Sequence, residues 1–220
     1  MADFTTARRM MVDGQIRPND VTDRRLIGAF LEVPRERFVP AAQAAIAYLD
    51  IDVPVAQGDT PRYLLKPMLL AKLLAVAEIR EGDHVLDVAS ATGYSSAVLS
   101  KVAGSVVALE VDAALSRQAQ DNLRATGSSG VAPVVGPLLA GWPGQAPYDV
   151  IVINGATEVV PSALCRQLKD GGRLVCVLGA GPGSKAMLYR KNGDDVSGRF
   201  VFDAAAPVLP GFAKIPAFAF

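Results

Sequence analysis

Histidine is nearly absent from this chain. His84 is the only one, which excludes any site built from several imidazoles; as a lone residue entering a strand it reads as structural rather than as a general base. Cysteine is almost as scarce. Cys165 and Cys176 are too far apart for a Cys-x-x-Cys motif and fall in what read as a helix and a buried strand, so both are expected to be reduced core residues, and no metal site is expected. Neither sign of charge is in excess, with 22 basic and 22 acidic residues, and no run of like charges forms an arm for nucleic acid. No apolar run approaches the ~20 residues of a membrane span, and Met1-Ala2-Asp3-Phe4 lacks the basic start and apolar stretch of a signal peptide. Neither nucleic acid nor membrane is an expected partner, and the cytoplasm is the expected location.

What the chain does have is apolar mass and alternation. Half of its 220 residues are apolar, enough for one large α/β domain. From Gly82 the pattern runs strand 84–89, helix 93–103, strand 105–110, helix 113–125, a weaker strand at 132–135, and the apolar run Tyr148 to Asn154, which fits a strand buried on both faces. A further helix is expected from Pro161 and a strand at 173–178 after the turn Asp170-Gly171-Gly172. Such alternation implies a parallel sheet with helices on both faces. Residues 187–190 and 199–202, around the turn 191–195, break it with an antiparallel hairpin. The single domain 1–220 thus divides into an N-terminal helical cap and substrate-side loop (1–80), a core (81–180), and a C-terminal hairpin with an apolar tail (181–220). In the cap, helices are expected at 5–16 and 22–32, the second with Asp20 or Thr22 near its start, then a connector bracketed by Pro34 and Pro40, a loop at 53–67 and a helix at 68–77. The tail 209–220 is too apolar to stay in water and is expected to pack on the body or on a second subunit.

The informative segment is Val85 to Tyr94, an apolar strand running through a turn of small residues into a helix. In an open parallel sheet the ligand binds where strand order reverses, at the carboxyl ends of the strands, so Ala89, Ser90, Ala91, Thr92 and Gly93 form the expected cofactor cradle. Glu110 ends the next strand about twenty residues on, where a carboxylate accepts ribose hydroxyls. Alanines in place of turn glycines serve a pyrophosphate poorly, whereas a sulfonium nucleoside has no phosphate to cradle.

The order of motifs resembles the protein-L-isoaspartate O-methyltransferase family, a branch of the class I S-adenosylmethionine-dependent methyltransferases. The resemblance covers roughly residues 8–180. It is carried by Val33-Pro34-Arg35-Glu36-Arg37-Phe38-Val39-Pro40, Ala47 to Asp50, Pro67 opening a helix, Val85 to Tyr94, Glu110, Gly141-Trp142, Ala146 to Ile151, and Leu168 to Val175. It implies a Rossmann-like methyltransferase fold and S-adenosylmethionine as cofactor. The donor would be held by Asp87, the turn Ala89 to Gly93, Tyr94, Glu110 with Val111, and Pro137 with Leu138. The acceptor, an isoaspartyl side chain of a protein or peptide, would enter from the 53–67 loop at Thr60, Tyr63 and Leu65.

Three departures fall in that site. The family loop Thr-Ile-Ser-Gln-Pro, aligned on Pro67, becomes Tyr63-Leu64-Leu65-Lys66-Pro67, so Leu65 stands at the serine. The Gly-x-Gly-x-Gly turn becomes Ala89-Ser90-Ala91-Thr92-Gly93. Gly-Asp-Gly becomes Gly136-Pro137-Leu138. Arg62 and Lys66 read either as partners for an acceptor carboxylate or as solvated loop cations, and Trp142 as cofactor-side or core packing. Besides isoaspartyl repair, a methyltransferase with another, small acceptor and a non-catalytic scaffolding relative are open readings.

Overall fold

In the computed structural model residues 3–57 and 60–214 are described. The chain begins with helix α1 (Phe4–Met11), whose cap Asp3 accepts hydrogen bonds from the Thr5 and Thr6 amides, and continues through a π-helical turn at Val12–Ile16. Helix α2 (Arg24–Glu32) is capped by Asp23, not by Asp20 or Thr22 as expected: Asp23 is the residue whose carboxylate reaches the Arg25 and Leu26 amides. The connector holds a 3-10 turn, Arg35–Phe38, between its prolines.

The segment expected as the 53–67 loop contains a small antiparallel ribbon, β1 (Val53–Ala56) and β2 (Arg62–Leu64). Its prolines concealed it, because Pro54 and Pro61 read as loop punctuation although a two-stranded edge tolerates them. Helix α3 (Pro67–Val76) follows, with Pro67 in its first turn. The core then runs β3 (His84–Val88), α4 (Tyr94–Leu99), β4 (Ser105–Glu110), α5 (Ala113–Ala125), β5 (Val131–Val135), β6 (Tyr148–Thr157), α6 (Ser162–Cys165), β7 (Leu168–Leu178), β8 (Lys185–Asn192) and β9 (Asp195–Asp203). Two helices are shorter than expected. α4 ends at Leu99 because the chain turns back through Gly104, where a side chain would meet the Glu81 carbonyl at 2.9 Å, to set Ser105 beside His84. α6 is a single turn because the Gln167 carbonyl is already taken by the Tyr148 amide, which starts β7 at Leu168 rather than 173.

The main sheet has the order β5-β4-β3-β6-β7-β8-β9, with β5 through β7 parallel and β8 and β9 antiparallel, as the alternation and the hairpin imply. Order reverses beside β3, so the 89–93 turn stands at the switch point. One face is buried under α1, α2, α3 and α4 in a cluster that includes Phe30, Phe38, Leu69, Leu73, Val98 and the sheet residues Val85, Val106 and Val152. The N-terminal helices are thus built into the main core. The other face buries Leu86, Leu109, Ile151, Ile153 and Cys176 beneath the one-turn α6, 3-10 turns and the segment carrying Leu209 and Phe212. Both cysteines are free and buried. His84 is structural: it stacks on Tyr148 and its ring nitrogens meet Ser105 Oγ and the Gln145 carbonyl. Among the described residues no helix is long and apolar enough to cross a membrane, and no cluster of ligating side chains is placed to hold a metal. Of the tail 209–220, residues beyond Lys214 lie outside the described residues.

Candidate active site

At the end of β3 the chain must turn sharply to start α4, and it does so through residues of positive φ. Ala89 has φ 63°, Ala91 φ 50° and Gly93 φ 95°. The alternate positions at which the family pattern has glycine therefore keep glycine's backbone although two of them carry a methyl group, at a cost of about 1–2 kcal/mol each. Hydrogen bonds hold the turn in that shape. The Ala89 and Ser90 amides donate to the Leu109 carbonyl (2.8 and 3.1 Å), the Ala91 amide to Glu110 Oε2 (2.8 Å), and Asn122 Nδ2 to the Thr92 carbonyl (3.0 Å). Thr92 Oγ1 donates to the Phe38 carbonyl, tying the proline-bracketed connector to the turn.

Two buried carboxylates flank the turn. Asp87 accepts from Ser95 Oγ (2.7 Å), Ser96 Oγ (2.5 Å) and Asn154 Nδ2 (2.6 Å). Burial outweighs these bonds and pushes its carboxyl up to about 6. Glu110 is wholly buried and accepts on both oxygens: Oε1 from the Val111 and Asp112 amides, Oε2 from Ala91 and from Arg62 Nη2 at 2.8 Å. Arg62 is therefore not a solvated loop cation. It is 3 % exposed and pairs with Glu110 at the end of β4.

The segment after Arg62 closes over the turn just as tightly. Tyr63, Leu64 and Leu65 face Ala89, Ser90, Ala91 and Asn154 across a cavity of about 10 Å³. Leu65 belongs to the main hydrophobic cluster, and its carbonyl accepts from Arg35 Nη2. Thr60 is exposed and stands apart with Pro61 and Tyr63 in an open cleft against Pro207 to Gly211. Lys66 lines a separate groove with Lys72 and Phe202. On the far side Leu138 is buried in the second core, Pro137 and Val111 are exposed, and Trp142 packs on Gly136 and within that core.

Four participants escaped the sequence reading. Asn154 could have been found as the polar residue that closes the apolar run 150–153, and Ser95 and Ser96 as hydroxyls just beyond the cradle. Arg35, fully buried over the Tyr94 ring at 4.7 Å, left no sequence signal that separates it from Arg37.

A profile of the Protein-L-isoaspartate(D-aspartate) O-methyltransferase (PCMT) family matches residues 7–205. The chain belongs to that family. It is 38% identical over 170 residues to protein-L-isoaspartate O-methyltransferase 2 of Anaeromyxobacter sp. (strain Fw109-5), covering 77% of this chain and 69% of that one. It is 33% identical over 212 residues to the protein-L-isoaspartate O-methyltransferase of Roseiflexus castenholzii (strain DSM 13941 / HLO8), covering 96% and 95%. Among solved structures, a protein-L-isoaspartate O-methyltransferase superposes with a TM-score of 0.81 at 27% identity, covering 93% of this chain and 66% of that one, so this chain spans just under two thirds of its length. A Plasmodium falciparum beta-aspartate methyltransferase, solved with S-adenosyl-L-homocysteine, shares the fold with a TM-score of 0.76 at 15% identity, covering 95% and 99%. Family and fold expectations hold: this is the α/β sheet of a protein-L-isoaspartate O-methyltransferase family member, for which the resemblance implies S-adenosylmethionine as the methyl donor.

The residues present fit such a donor. Ser90 Oγ is buried without a hydrogen-bond partner in the middle of the cradle, Glu110 ends its strand with acceptor oxygens, and the turn keeps a glycine-type path.

Proposed function

We propose that this chain methylates isoaspartyl carboxylates in the cleft between the 89–93 turn and β2, in the cytoplasm. Glu110 would hold the ribose hydroxyls and Ser90 with the Asp87 network the amino-acid end, while Tyr63 and Leu65 form the wall on the acceptor side. One observation carries this reading: Ala89 and Ala91 accept the strain of positive φ and keep the Ala91 amide on Glu110, which a chain without use for the cradle gains nothing by preserving.

S-adenosylmethionine supplies a methyl group activated on a sulfonium. The acceptor carboxylate is already ionised and the sulfur departs neutral, so the site needs no general base and its work is positioning. Opposite charges are neutralised as the reaction proceeds. Leu65, where the family pattern has serine, gives this step an apolar wall that does not oppose a transition state of falling charge. Reduced, buried Cys165 and Cys176 agree with the cytoplasmic setting.

Calorimetric titration with S-adenosylhomocysteine tests the donor site. Saturable heat with one site per chain is expected. Absence of both heat and thermal shift at millimolar ligand would sink the reading in favour of a scaffolding relative.

A further inference from the structure

We propose that Arg62 is an internal competitor for the methyl donor: its guanidinium occupies the ribose subsite on Glu110, so donor binding and withdrawal of the β2 ribbon are one coupled event. The inference rests on the methyltransferase reading above and adds a gate to it.

The acceptor capacity of Glu110 is fully used in the closed state. Its Oε1 serves two backbone amides and its Oε2 serves the Ala91 amide and Arg62 Nη2. The amides are part of the turn and of the start of α5, so they stay; only Arg62 can leave to admit a ribose hydroxyl. Arg62 is carried by β2, which is paired only to β1 in a ribbon separate from the seven-stranded sheet. The same strand brings Tyr63 and Leu64, with Leu65 just beyond, over the cradle and leaves about 10 Å³ there. A bound nucleoside cofactor needs several hundred Å³. Moving Arg62 off Glu110 and clearing that volume are therefore displacements of one short segment.

The closed state is also incompletely satisfied. Arg62 contacts Glu110 through one nitrogen, not as a bidentate fork, and its Nε is buried with no partner; in the cradle Ser90 Oγ is likewise buried and unpartnered. Such a contact holds the cleft shut yet yields to a ligand bringing two hydroxyls to one carboxylate.

The test is calorimetric titration of the full chain and of Arg62→Ala with S-adenosylhomocysteine, and with adenosine, which has the ribose diol but no amino-acid end. Removing the competitor is expected to tighten both ligands at least ~10-fold, the equivalent of 1.4 kcal/mol. Equal or weaker affinity in the variant would overturn the gate while leaving the methyltransferase reading intact. A gain confined to S-adenosylhomocysteine would overturn the assignment to the ribose subsite. No binding to either protein would remove the methyltransferase reading and the gate together. Should Arg62→Ala fail to fold, hydrogen exchange on the unmodified chain decides: the amides of 62–64 should exchange faster with S-adenosylhomocysteine present, and unchanged or slower exchange there overturns the proposal.

Discussion

Asn154 joins β6 to β3 across the mouth of the cleft, its Nδ2 donating to Asp87 Oδ1 at 2.6 Å and to the Val88 carbonyl at 3.1 Å. One amide thus serves both an oxygen of a wholly buried carboxylate and a strand carbonyl. Asn154→Ala would leave both under-satisfied, a loss of about 1–3 kcal/mol. The expected result is a lower urea midpoint at unchanged m-value.

Asp87 makes stability depend on pH. Its carboxyl is raised to about 6 from an ordinary 3.8, burial being the largest cause. Between those values the folded protein still holds a proton that the unfolded chain has released. The contribution is fully present below the unfolded value and is lost as pH rises through the window to about 6, after which it stays flat. The loss is on the order of 3 kcal/mol. The difference in urea stability between the unmodified chain and Asp87→Asn, followed across that window, should show this fall; a flat difference would mean that the carboxylate is not held in the way described.

Ala89 and Ala91 pay for a backbone that glycine adopts freely. Ala89→Gly and Ala91→Gly are each expected to stabilise by roughly 0.5–1 kcal/mol after the extra entropy glycine gives the unfolded chain. In a domain of this size that is about 2–4 °C in Tm per kcal/mol, measurable by calorimetry.

Leu65 both walls the cleft and packs in the main core. Leu65→Ser should therefore cost about 2–4 kcal/mol of stability through the cavity and the buried hydroxyl. It should also lower the KM for an isoaspartyl peptide, because the hydroxyl gives the acceptor carboxylate a donor. An unchanged KM in folded variant would show that the acceptor does not pass Leu65.

Much of this was legible in the sequence because periodicity and spacing are local. The strand 105–110 and the helix 113–125 have the expected bounds, and the switch-point turn and Glu110 stand at strand ends as their spacing requires. What stayed hidden depends on contacts between distant segments. Arg62 reads as a loop cation until β2 folds over the sheet and sets it on Glu110, 48 residues away. Asn154 reaches Asp87 over 67 residues. The shortening of α4 and α6 is imposed by strand pairing at Ser105 and Leu168, which helix propensity does not report.

The most direct measurement is transfer of labelled methyl from S-adenosylmethionine to a peptide containing isoaspartate, run beside the same peptide with ordinary aspartate. The account predicts base-labile label, a methyl ester, on the isoaspartyl peptide alone. No label on that peptide, under conditions where S-adenosylhomocysteine binds, would contradict it and point to another acceptor.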